Sequence, residues 1–147
     1  MNYLAILLGD PMAPILIGVA IGVLIGLLPL IFYLITLSKT LKEVEQTNRR
    51  IEPGQVWLTL IPLFGLVWQF IMVNRIADSL KAEFAARNIQ VEEDRPGAKL
   101  GVTYCTLMVC GVIPFVGTLA SLGGFVCWII YWVKINGYKT KLIQAKI

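Results

Sequence analysis

The chain has 147 residues, 57% of them apolar, and a formal charge of +4 with no histidine. A mean hydropathy of +0.75 lies well above that of a water-soluble domain, so residues 1–147 are expected to form one membrane domain. Without histidine there is no imidazole nucleophile or metal ligand, and 13 Lys and Arg interleaved with 9 Asp and Glu, outside any aromatic-basic module, do not point to nucleic acid.

The first fourteen residues, MNYLAILLGDPMAP, contain no basic segment and no small-residue cleavage site after a short apolar core. The first apolar run is therefore expected to stay as an uncleaved anchor. Residues 15–37 carry no charge for 23 positions, and about 20 helical residues span the hydrocarbon core. The spacing predicts a spanning helix over 14–37. Gly18, Gly22 and Gly26 recur every fourth residue within it, which aligns them on one face. Each costs a helix about 1 kcal/mol relative to alanine, so a contact must offset the repeat. Lipid tails are as apolar as leucine, and close backbone approach along small-residue faces is what draws helices together there. Two partners suit that groove. One is a second small-residue face on the last helix, made by Gly117, Ala120, Ser121 and Gly124. The other is the same helix from a second copy.

Residues 38–50 are read as a cytosolic amphipathic helix, with Leu34, Leu37, Leu41 and Val44 on one face and a break at Pro53-Gly54. The next apolar run, 56–73, holds Pro62 and, three residues on, Gly65. Proline removes a backbone donor and clashes with the preceding turn. Residues 55–73 are accordingly predicted to form a re-entrant or kinked segment, continuing as a cytosolic helix to 88. Trp57 and Trp68 would lie at similar depth on its two arms. Pro62, Gly65, Gln69 and Asn74 are the residues that would line a path if an oligomer conducted, although LIPLFG offers no hydroxyl or acid to coordinate an ion. Val73, Ile76, Ala77, Leu80 and Phe84 form a second apolar stripe, and Glu83 and Arg87 stand four apart, a pairing worth only a few tenths of a kcal/mol on an exposed helix.

Residues 89–98 read as an exposed acidic loop and linker around Pro96 and Gly97, followed by a helical hairpin over 99–135 whose joint is IPFVG. Trp128, Tyr131 and Trp132 with Lys134 suggest an interfacial belt, beside which Lys139 and Lys141 of the basic tail 136–147 offer charge to headgroups. Cys105, Cys110 and Cys127 lie inside apolar runs at spacings unsuited to zinc and are read as packing residues.

No Lys or Arg precedes the first run, and none lies in the joint. If 56–73 crossed, the basic loops would be divided between the two faces. If it dips and returns, all thirteen face the cytoplasm, as short-loop Lys/Arg bias requires. The sequence thus predicts an all-α, polytopic membrane bundle with three transmembrane helices plus one re-entrant or kinked segment, four crossings being the alternative. Its expected setting is the bacterial inner membrane, N-terminus outside and C-terminus cytoplasmic. The apolar runs contain no ionisable residue of the kind that proton-coupled transport uses, and no catalytic residue, metal ligand or cofactor is assigned. The expected function is non-catalytic: an accessory or structural protein that packs through its glycine-lined face into a homo-oligomer or a larger membrane complex. A small oligomeric channel is the alternative, and a lipid-binding or bilayer-shaping protein a third. The expected partners are the lipid bilayer and membrane protein, with no nucleic acid.

Overall fold

Fourteen apolar residues in unbroken helical register, Ile15 to Leu28, open a helix that continues well past the end of the uncharged run. A computed structural model describes residues 12–111, 113 and 117–146. The expectations for the N-terminal eleven residues and for joint residues 114–116 lie outside the described residues. The described chain is helical, without strands: α1 (Ala13–Glu43), α2 (Phe64–Ala86), α3 (Ala98–Cys110) and α4 (Gly117–Gln144), with 3-10 turns at Gln46–Asn48 and Gln55–Leu60. Two of these helices, α1 and α4, are long and apolar enough to cross a membrane. The chain divides into two compact units, residues 1–33 and 34–147.

In the first unit, the side chains from Ile15 to Leu28 are exposed on every side of the helix. A helix that is apolar all round belongs in an apolar solvent. Residues 38–43 extend α1 and do not begin a separate helix, because no Gly or Pro interrupts residues 34–43. The helix ends where Arg49 folds back. Its Nε donates to the carbonyls of Leu41 (2.8 Å) and Val44 (3.0 Å), and its Nη2 donates to that of Lys42 (3.3 Å). A cation on the orphan carbonyls of a helix C-terminus is favourable for both hydrogen bonding and dipole.

The second unit is built from two antiparallel pairings. Residues 45–60 run back along α2. The Glu45 N–H bonds to Glu83 Oε2 (2.9 Å), the Arg50 N–H to Ser79 Oγ (2.8 Å), and Trp68 Nε1 to the Gln55 carbonyl (2.9 Å), while Thr59 Oγ1 lies 3.5 Å from Met72 Sδ. Residues 45 and 50 meet α2 at 83 and 79, and residues 55 and 59 meet it at 68 and 72, so the chain reverses between Leu60 and Phe64. Helices α3 and α4 pack the same way. A Cβ on Gly124 would stand 3.2 Å from the Leu107 Cβ, and one on Gly117 would collide with the Gly111 carbonyl oxygen. Tyr104 and Tyr131 meet with ring centroids 5.4 Å apart. The two apolar stripes, Leu34/Leu37/Leu41/Val44 and Val73/Ile76/Ala77/Leu80/Phe84, are fully buried in this unit. Helix α2 ends at Ala86, two residues short of the expected 88. Asn88 takes the left-handed conformation (φ 55) there, and the Ile89 N–H closes on the Phe84 carbonyl (2.9 Å).

Candidate functional site

The reversal at 61–64 is a tight elbow. The Phe64 N–H donates to the Pro62 carbonyl (2.7 Å) across Leu63, whose backbone sits at φ 64, ψ −53. This is the rare, strained form of the three-residue turn. The Gly65 N–H then bonds to the Ile61 carbonyl (2.7 Å). Gly65 has no room for a side chain, since a Cβ would collide with the Thr59 carbonyl oxygen. Pro62 and Gly65 thus lie at the elbow. Gln69 is half-buried one turn beyond. Asn74 is not part of it: it lies further along α2, donating to the Phe70 carbonyl (2.9 Å) and accepting from Arg95 Nη2 (3.2 Å). Trp68 stacks on Phe64 with centroids 5.6 Å apart and donates its Nε1 to the Gln55 carbonyl.

The tip of this hairpin is apolar and uncovered. Leu60, Ile61, Leu63, Phe64, Leu66 and Val67 are all exposed, Leu63 by 82%. At its base the character inverts. Arg50, Arg75, Asp78 and Lys81, with Ala82 and Ala85, line a cleft of about 630 Å³. Arg75 Nη1 reaches the Arg50 carbonyl (3.5 Å). Lys81 pairs with Asp94 (2.8 Å) and Asp78 with Arg95 (2.8 Å). The Lys81 hydrogen bond holds the Asp94 carboxyl below its ordinary range.

Two carboxylates missed as site residues in the sequence fasten this base. Glu83 is 1% exposed. Its Oε1 meets Arg87 Nη2 (2.5 Å), and its Oε2 accepts from Asn48 Nδ2 (2.8 Å) and the Glu45 N–H. Arg87 spends its remaining donors on the Leu142 (2.9 Å) and Glu43 (3.0 Å) carbonyls. Four segments meet at one ion pair. Burial pushes the Glu83 carboxyl up, but the hydrogen bonds from Asn48, Glu45 and Arg87 together outweigh it and hold the group below its ordinary value. The only signal in the sequence was the four-residue spacing; its burial depends on partners 35 and more residues away.

Glu93 makes the second clasp. The loop 89–98 is pinned to α4 and is no free linker: Glu93 Oε1 takes Lys134 Nζ (2.5 Å), and Oε2 accepts from the Gly97 N–H (2.7 Å) and Tyr138 Oη (3.3 Å). Lys134 first, then the Gly97 N–H, draw the Glu93 carboxyl down. Gly97 holds φ 76 with Tyr131 3.3 Å from where a Cβ would stand, so glycine is required.

The aromatic belt is divided. Tyr131 is buried against Tyr104, and Trp128 is buried between Phe125 and Trp132. Trp132 Nε1 donates to Thr36 Oγ1 (3.0 Å), tying α4 to the second half of α1. On α4, Gly117, Ala120 and Gly124 are buried facing α3, and the exposed Ser121 has its Oγ 2.5 Å from where a Cβ on Gly111 would stand. At Gly18, Gly22 and Gly26 a Cβ would meet no atom of the described residues within 4 Å. Among the described residues no cluster of His, Cys, Asp or Glu is arranged to hold a metal ion. Comparison with models of protein families, with curated proteins and with solved structures found no match.

Proposed function

We propose that this chain is a non-catalytic subunit of the bacterial inner membrane that assembles with copies of itself, or into a larger membrane complex, through the Gly18/Gly22/Gly26 face of α1. In this reading α1, α3 and α4 cross and the 50–75 hairpin dips from the cytoplasmic side, with the N-terminus outside and the C-terminus inside. The observation that carries it is the glycine groove itself: it runs along the exposed, uncharged stretch of α1, and no atom of the described residues lies within 4 Å of where its side chains would stand. The small-residue face of α4 supports the same choice, because α3 already occupies it. Same-side loops are supported by the base of the hairpin, where Arg50 from one loop is bonded to Ser79 and Arg75 beyond the other arm. A channel lacks support in the elbow, whose exposed surface is leucine, isoleucine, valine and phenylalanine.

Cysteine-scanning crosslinking over residues 17–26, in membranes and with the three native cysteines replaced, tests the assembly. Dimer yield should peak with helical periodicity beside the glycine face and disappear on Gly22→Ile. Monomer at every position would refute self-assembly through α1.

A further inference from the structure

The hairpin has a property that its role as a packing element does not require. Residues 53–74 carry no charge. From its apex at Phe64 to Arg75, α2 rises about 16 Å at roughly 1.5 Å per residue. The hydrocarbon core is about 30 Å thick, so this length matches one leaflet. The apex residue is informative as well. A backbone at φ 64 favours glycine, yet position 63 holds a leucine that is 82% exposed. A strained turn that presents a bulky apolar side chain outward is a turn whose surroundings are apolar.

At the other end of that length lie two guanidinium groups. Among the described residues Arg50 and Arg75 have no carboxylate within ion-pairing distance, whereas the two other charged residues of their cleft, Lys81 and Asp78, are engaged by Asp94 and Arg95. Both arginines are exposed and held side by side on α2: the Arg50 N–H donates to Ser79 Oγ, and Arg75 Nη1 reaches the Arg50 carbonyl. Guanidinium forks bind phosphate oxygens in bidentate fashion and are less strongly hydrated than ammonium. We propose that residues 53–74 form a wedge entering only the cytoplasmic leaflet, and that Arg50 and Arg75 at its base hold the phosphate of an anionic phospholipid of that leaflet. The inference rests on the membrane reading above and adds the depth of the hairpin and a lipid partner.

Two measurements separate the parts. A spin label on Leu63→Cys, in protein reconstituted into phosphatidylcholine vesicles with phosphatidylglycerol, reports depth from oxygen and nickel-chelate accessibility. A label near the bilayer centre supports the wedge. A label at the far surface means a full crossing and overturns it, and a label in bulk water overturns the membrane reading of this segment as well. In the second measurement, detergent-purified protein is titrated with phosphatidylglycerol, phosphatidylcholine or inorganic phosphate and followed by native mass spectrometry and thermal midpoint. Phosphatidylglycerol should bind the wild type, and the double variant Arg50→Gln/Arg75→Gln should bind it about thirtyfold more weakly, from about 1 kcal/mol for each cation. Lys39→Gln/Lys42→Gln, which removes two exposed cations outside the cleft, should leave that affinity unchanged. Stabilisation by inorganic phosphate alone, or equal loss in both double variants, overturns the lipid site while leaving the wedge standing. An unshifted thermal midpoint of the arginine variant in phosphatidylcholine shows that it is folded, and Arg50→Lys/Arg75→Lys, which keeps the charge, should bind with intermediate affinity.

Discussion

At the level of single residues, Glu83 shows how context changes the worth of a pair. On an exposed helix its spacing from Arg87 contributes only a few tenths of a kcal/mol. Buried, with Arg87 also holding the ends of α1 and α4, it leaves an uncompensated guanidinium if removed. Glu83→Ala is expected to destabilise the protein by about 3 kcal/mol, read as a fall in thermal midpoint in detergent, while Glu52→Ala, on an exposed carboxylate 3.7 Å from Arg49, should cost well under 1 kcal/mol. The pH dependence follows from the same groups. Both Glu83 and Glu93 have folded values below the ordinary 4.5. Their contribution is therefore complete above pH 4.5 and declines as the pH falls through the lowered folded values. Acid titration of the thermal midpoint should show loss below pH 4.5, and the slope there should be shallower in Glu93→Gln. Gly65→Val is the sharpest steric test. With the Thr59 carbonyl in the way, the elbow must open, and the Trp68 environment, now fixed on Gln55, should shift in its fluorescence.

At the level of elements, the apolar stripes and the break at Pro62-Gly65 were readable because each depends on residues close in sequence, whereas the small residues of α4 read as a groove for α1 and Gly117 and Gly124 instead meet Gly111 and Leu107. Periodicity put Val73, Ile76, Ala77, Leu80 and Phe84 on one face, and all are buried. The acidic loop was legible only as a loop. Nothing near Glu93 in sequence announces Lys134 or Tyr138, which lie 41 and 45 positions away. Tyr131 misled in the other direction: an aromatic beside tryptophans resembles a belt residue until Gly97 and Gly101 make room for it in the core. Helix length adds a constraint on the hairpin α3–α4. At 13 residues, α3 rises about 20 Å, against a core of about 30 Å. The crossing proposed for α3 therefore requires local thinning of the bilayer or further residues beyond Cys110. Ile113→Cys should react with an impermeant thiol reagent from outside the cell; protection there, with reaction only after solubilisation, would place the joint inside the bilayer.

At the level of the whole molecule, the account rests on one sidedness. Uncovered apolar surface lies on α1, the hairpin tip and α4, while the charged side chains among the described residues are gathered in 39–52, 75–99 and 134–146. The bonds of Arg50 to Ser79 and Arg75 join the first two of these groups, and Glu93 to Lys134 joins the last two. The direct test is impermeant-thiol labelling of Thr47→Cys and Glu92→Cys, each alone in a chain with the native cysteines replaced. Both positions are exposed, and neither carries the clasp that Glu93 does. Labelling of both only in inside-out vesicles is the predicted result; labelling of the two from opposite faces would make residues 56–73 a full crossing and contradict the account.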